Sequence, residues 1–445
     1  MKNGSYRYAS MQKRFKKIYI IIPLLTVAAA GIVLAGLYLT GFFYNRKDVQ
    51  VKVNAKGEEI AALAADTKIV PSDMLSRTVS LLSDKAGTSP YVLSWYALPG
   101  SISSTTALAS EYLVTADQVN LLRCYIEKGD KDSARDLANA IEKDFSGENG
   151  YLVPGRMITD LGSTPVFPAN AAYDELPVMS GYSLDVTIGY IRALLEYYDK
   201  WGQSSDWTRI EKFASLLDTG NTVFAEDLTI TVDATPVPTG EGQDIASIIG
   251  GQVSTGGDFS ALSLAALDLE VFRMLSSADS KYQILYDNAL AILEGAVISS
   301  DLPLFAVGYT QSSAGYVYYN GDAAKADLVS SLKVTLHLAE EGKAPQGTLL
   351  WIKEQLYNQG MLYQSYDLIS GQATTSTESV ESYGILLQIA RAVSDADLYS
   401  MAMDRLEWHL ATSAASNARS AIFRQMDNKR VVVYAKDNLE ALLGV

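Results

Sequence analysis

Long apolar segments with helical periodicity open near Ser110, Ser183, Phe259, Ala323 and Val380, and each is followed after a short turn by a second, more polar helical run. The partners are residues 131–145, 205–217, 280–296, 346–358 and 395–409. This recurrence constrains the fold most tightly, because such a helix pair must stack on others of its kind to bury its apolar face. A further pair comes from residues 72–86 and 436–443. Six hairpins predict an all-α (α/α)6 barrel over residues 70–445, apolar helices inside and amphipathic ones outside. A chain of 445 residues that is 48% apolar and 20% charged can bury a core of that size. The connections contain Gly, Pro, Tyr and short β-like runs such as 151–155, 228–232 and 316–319.

Ahead of the hairpins, residues 18–44 form a run of 27 without a charge, the length of a transmembrane helix with some tilt. Lys2, Arg7, Lys13, Arg14, Lys16 and Lys17 precede it with no acidic residue among them. Residues 1–17 are therefore expected in the cytoplasm and the rest outside, with the chain a single-pass protein of the cell membrane. A cleaved signal peptide is the alternative, but its apolar region is shorter. Residues 45–69 read as a juxtamembrane linker.

The formal net charge is −15, so the part beyond the basic segment carries −15 − 6 = −21, which repels nucleic acid and anionic lipid. A lone cysteine, Cys124, rules out an intramolecular disulfide. Its apolar helical setting reads as a buried, inert thiol. His337 and His409 are the only histidines. Neither is expected to have a neighbour at metal-ligand spacing, so no zinc site, His-based triad or other cofactor is foreseen.

In a barrel of this kind the N-termini of the inner helices converge on one end. Glu111, Asp185, Asp258, Glu378 and Glu381 all fall near expected inner-helix starts. Taken singly, Glu111 is an ordinary first-turn charge worth a few tenths of a kcal/mol, by the order of ~0.3. Taken together, converging carboxylates suit glycoside hydrolysis, which needs one protonated carboxyl and one ionised carboxylate.

Four stretches carry a resemblance: Ser110-Glu111-Tyr112-Leu113, the run from Ser183-Leu184-Asp185 through Leu195 to Gly202, the run from Asp258 to Ala266, and Val380-Glu381-Ser382-Tyr383-Gly384. In order and character they resemble motifs of glycoside hydrolase family 8, over about residues 89–409. The resemblance implies an (α/α)6 barrel acting on a β-1,4-linked glycan such as cellulose, chitosan or xylan. It implies Glu111 as general acid and Glu381 as base, with Asp258 the second candidate. The sequence departs from the family at Tyr112 and Gly384, where the family has glycine and arginine, at Gly181 and Ser183, where it has aspartates, and at Glu381, where many members have aspartate.

Asp185, Tyr182, Trp95, Tyr96 and Tyr318 are candidate substrate contacts, the aromatics as platforms for sugar rings. Ordinary core packing is the competing reading for each aromatic. The expected function is a membrane-anchored extracytoplasmic glycoside hydrolase of inverting type, acting on a polysaccharide beside an exopolysaccharide synthase. The alternative is a barrel that holds glycan without cutting it.

Overall fold

The computed structural model describes residues 49–54, 57, 59–60, 67–84, 87–100, 106–175, 184–217, 230–237, 257–310, 315–319 and 325–445. The chain divides into two units, residues 1–49 with 202–208, and residues 50–201 with 209–445. Of the first, only residues 49 and 202–208 are described. The account below concerns the second.

Among the described residues there are twelve α-helices, five sequential pairs and one that joins the first helix to the last: α1 (Pro71–Val79), α2 (Thr115–Lys128), α3 (Lys131–Phe145), α4 (Leu184–Trp201), α5 (Ser204–Ala214), α6 (Leu269–Ala278), α7 (Gln283–Glu294), α8 (Leu328–Glu340), α9 (Gln346–Gln359), α10 (Val380–Ala392), α11 (Ala396–Trp408) and α12 (Ala435–Gly444). The α2–α3 pair shows how sequence makes a hairpin. Gly129 ends α2 in the left-handed conformation at φ 81°, and the Asp130 side chain caps the next helix by accepting from Ser133 N. Helix α3 then buries Ala134, Leu137, Ala138, Ile141 and Phe145, a single 3.6-period stripe. Helix α4 instead buries Leu184, nearly every residue from Val186 to Tyr198, and with them Arg192 and Glu196. It is walled on both sides.

Helices α2, α4, α6, α8, α10 and α12 each pack on the next, and α12 returns to α2, so the inner ring closes. Outside it, α3 packs on α2, α7 on α6, α11 on α10 and α1 on α12. The closing contact is tight. A Cβ on Gly384 of α10 would lie 2.4 Å from Ala441 N, and one on Gly444 of α12 would lie 2.6 Å from Leu387 Cβ. The glycine found where family 8 carries an arginine is thus the point at which two helix backbones meet.

The chain is not all-α. Among the described residues twelve short strands occupy the connections: β1 (Trp95–Ala97), β2 (Leu108–Ala109), β3 (Tyr112–Val114), β4 (Gly155–Met157), β5 (Ile230–Val237), β6 (Gly257–Ser263), β7 (Gly308–Thr310), β8 (Gly315–Tyr319), β9 (Lys325–Asp327), β10 (Ser365–Asp367), β11 (Arg424–Gln425) and β12 (Val431–Tyr434). They form sheets of order β11-β12-β1-β2 and β10-β9-β8-β5-β6-β7, and the pair β3-β4. Strands β3, β9 and β12 lead without a break into inner helices α2, α8 and α12. The hairpin expected to open at Phe259 is corrected accordingly. Residues 257–263 are strand, and α6 starts only after the Asp268 side chain caps Val271 N.

The expected membrane-spanning helix is also corrected. No helix among the described residues is long and apolar enough to cross a membrane, and residues 18–44 lie outside them. The longest described helix, α4, has 18 residues and carries Asp185, Arg192, Glu196, Asp199 and Lys200, against the ~20 apolar residues a span requires. The membrane anchor, the single-pass topology with cytoplasmic N-terminus, the extracellular placement and the synthase partner inferred from it are withdrawn with it. The stretch read as a linker is held in place where it is described. Asn54 N donates to Glu270 (2.5 Å) and its side-chain amide to Glu340 O (2.8 Å).

Candidate active site

The N-terminal ends of the inner helices surround a cavity of about 610 Å³. Asp117 enters from the first turn of α2, Asp185 from α4, Lys333 from α8, Glu381 from α10, and Lys436 and Glu440 from α12. Glu175 and Arg424 line it from the connections. Helices α2, α10 and α12 have no side-chain N-cap, so no capping side chain covers the positive ends of their dipoles on that side.

Two buried carboxyls of the lining have opposite environments. Asp117 is 4% exposed, and burial pushes its carboxyl well above the ordinary range. Glu381, Glu440 and Asp437 add to that push against the opposing charge of Lys436. Asp117 therefore keeps its proton to a higher pH than an ordinary aspartate does. For Glu381 burial works in the same direction, but Lys436 and Lys333 outweigh it and hold the carboxylate below its usual value. Lys436 Nζ stands 3.1 Å from Glu381 Oε2 and 3.0 Å from Glu175 Oε2. Burial alone would discharge Lys436, yet Glu381 and Glu175 keep its pKa raised. Glu175 is in turn bonded by Arg424 at 2.8 Å, and Arg424 makes two bonds to Asp437 at 2.7 and 2.6 Å. Glu440 is fixed by Asn120 and Gln388, each at 2.9 Å.

The structure brings together some of the sequence-derived candidates and separates others. Asp185 and Glu381 line the cavity. Glu111 is half-buried in the bend before β3, where its carbonyl accepts from Ile158 N. It is not among the described lining residues. Because β3 continues to Val114, the first helical turn falls at residues 115–118, and Asp117 takes the place expected of Glu111. Asp258 lies on β6, its backbone in register with Asp233. Tyr182 lies outside the described residues, as do Gly181 and Ser183. Glu378 does not serve the cavity. It accepts from Arg405 at 2.6 and 2.8 Å and from the Tyr383 hydroxyl at 2.7 Å, which ties α10 to α11.

The aromatic candidates pack in the core. Trp95 is fully buried, its indole N–H donating to Asp174 at 2.7 Å and its ring edge-on to Tyr173, in a cluster with Val432 and Tyr434. Trp95 also lines the cavity. Tyr96 is 5% exposed and edge-on to Phe167, and Tyr318 is 6% exposed on β8. Cys124 is buried, its thiol donating to Leu439 O at 3.8 Å.

Sequence reasoning passed over Asp117, Lys333, Arg424, Lys436 and Glu440. Only the first-turn position of Asp117 offered a local signal. It also overlooked a grouping deeper on the axis. Glu340 stands one helical turn beyond His337 on α8, and ligand atoms of Asp268, His337 and Glu340 lie within 4.8 Å of one another.

No protein-family model matches the sequence, and no curated protein is significantly similar to it. Solved structures are similar. An alpha-amylase from Clostridium perfringens superposes with a TM-score of 0.60 at 20% identity, over 85% of this chain and 95% of that one. A cold-adapted family 8 xylanase gives 0.54 at 10% identity, over 90% and 96%. A family 8 glycoside hydrolase from Teredinibacter turnerae, solved with xylobiose, gives 0.51 at 11%, over 88% and 95%. The chain is thus remotely similar in structure to family 8 members, and at these identities what is shared is the fold.

Proposed function

We propose that the chain is a glycoside hydrolase that cleaves a polysaccharide by acid–base catalysis in the cavity at the N-terminal end of the inner ring. One observation carries the reading: Asp117 and Glu381 line the same cavity, and their surroundings push their proton affinities apart. That is the arrangement by which two carboxyls take separate roles. Asp117 gives its proton to the glycosidic oxygen as the C–O bond breaks. Glu381 takes a proton from the water that attacks the anomeric carbon, an inverting displacement. Asp185 and Lys333, which line the same cavity, are candidates to bond sugar hydroxyls. Structures of this barrel are named both an alpha-amylase and xylanases, so the glycan is chosen by the cleft's side chains and connections.

The test is product release from soluble starch, xylan, mixed-linkage β-glucan and chitosan, with the anomeric configuration of the first product followed by NMR. Release of the inverted anomer by the wild type, lost in Glu381→Gln, supports the proposal. Glycan binding without release favours the barrel that holds but does not cut.

A further inference from the structure

Beneath the cavity the barrel axis carries a second polar cluster, which the proposed hydrolysis does not use. Arg192 lies two turns into α4 from Asp185, about 10 Å deeper by helical rise. It donates to Asp268 at 3.0 Å, to Glu270 at 2.8 Å, and to both oxygens of Glu340 at 2.9 and 2.5 Å. Glu196, 3.4 Å from Arg192, also accepts two bonds from Arg123 at 3.1 and 2.9 Å. Arg273 reaches in from the edge, shared between Glu270 and Glu341. Three guanidiniums therefore meet five carboxylates. Arg192, Glu196, Asp268 and Glu270 are each no more than 5% exposed, and surplus negative charge at that depth is costly unless a cation offsets it.

An independent feature points to where the cation sits. His337 is 7% exposed, and its Nε2 lies 3.0 Å from the Ala265 carbonyl. A carbonyl only accepts, so Nε2 carries a proton, and in the neutral imidazole Nδ1 then presents a lone pair. That Nδ1 is buried with no hydrogen-bond partner. It faces Asp268 Oδ1 at 3.9 Å, beyond hydrogen-bond range. Two acceptors thus oppose each other across a gap, beside a cavity of about 90 Å³ that both residues line.

We propose that Asp268, His337 and Glu340 bind one divalent transition-metal cation, bracing α6 against α8 below the cleft. An imidazole nitrogen with carboxylate oxygens suits zinc and its neighbours, whereas calcium and magnesium favour oxygen alone. Zinc bonds of ~2.0–2.2 Å require the three ligand atoms to draw inward from their 4.8 Å envelope. Arg192 keeps its bond to Asp268 Oδ2, while Glu340 turns one of its two Arg192-bonded oxygens to the ion.

The experiment uses tag-free full-length chain, stripped with chelator and titrated with Zn²⁺ by calorimetry, with thermal denaturation in parallel. One equivalent per chain, a raised melting temperature, and at least tenfold weaker binding in His337→Gln are expected. No stoichiometric uptake, or uptake unchanged by His337→Gln, overturns the proposal. Should that variant fail to fold, Cu²⁺ substitution in the wild type decides it by electron paramagnetic resonance. Only two histidines exist, and His409 Nδ1 is already bonded to Phe423 O. Coupling to one imidazole nitrogen is the expected result, and a spectrum without nitrogen coupling refutes it.

Discussion

Replacing Gly384 by alanine tests whether α12 closes the inner ring as described. The added methyl would lie 2.4 Å from both Ala441 N and the Glu440 carbonyl carbon, and 2.7 Å from Glu440 O. That is about 1 Å inside the ~3.5 Å of ordinary contact. The obstruction is backbone on a helix interior, so no side chain can swing aside and α10 must part from α12. Forced overpacking of this kind costs ~1–3 kcal/mol, from which alanine's better helix propensity returns up to ~1 kcal/mol. A net loss of about 1–2 kcal/mol is expected, read as a lower denaturant midpoint at unchanged slope. The separation also displaces Glu381 from Lys436, so activity falls alongside. A variant as stable as the wild type, or more stable, would refute the close approach and with it the placement of the C-terminal helix.

Other perturbations give distinct readouts. Folded Asp117 holds its proton more tightly than the unfolded chain does, so stability falls as pH rises from the unfolded value of ~4 toward the raised folded one. Asp117→Asn should abolish that slope in denaturation measured across pH and be the more stable protein at neutral pH. Glu378 behaves in the opposite sense: burial opposes its charge, but His409, Arg405 and Tyr383 hold it at about 2. Against an unfolded value of ~4.3 this contributes about 3 kcal/mol, present above that pH and lost as pH falls toward 2. Glu378→Gln should lose a comparable amount at pH 7 and flatten the acid-denaturation curve. Lys436→Met removes the cation 3.1 Å from Glu381 and should move the acidic limb of the pH profile of kcat/KM upward.

The ring was legible where periodicity and caps agree. The reading of residues 131–145 coincides with α3, and that of Val380 with the start of α10, which put Glu381 in its first turn. It failed where a strand runs straight into a helix. β3 to α2 displaced the carboxylate from Glu111 to Asp117, and the apolar residues of β6 imitated a helix at Phe259. The charges that set apart Asp117 and Glu381 come from Lys436 and Lys333, on separate helices from either carboxyl. No local pattern reports such pairings, because closure of the ring creates them. Tyr96 and Tyr318 show the converse: their chemistry suits sugar stacking, but they are buried away from the cavity lining, which of the three aromatics only Trp95 joins. His337 and Glu340 share a helix face one turn apart, a spacing visible in the sequence, whereas Asp268 reaches them only through the fold.

The central claim is that Asp117 delivers the proton to the leaving oxygen. The most direct measurement compares Asp117→Asn with the wild type on an unactivated oligosaccharide and on a dinitrophenyl glycoside of the same sugar, whose leaving group needs no proton. The account expects a loss of ~10²–10⁴-fold in kcat/KM on the oligosaccharide and near wild-type turnover of the activated glycoside. Equal impairment on both substrates, or none on either, would contradict it.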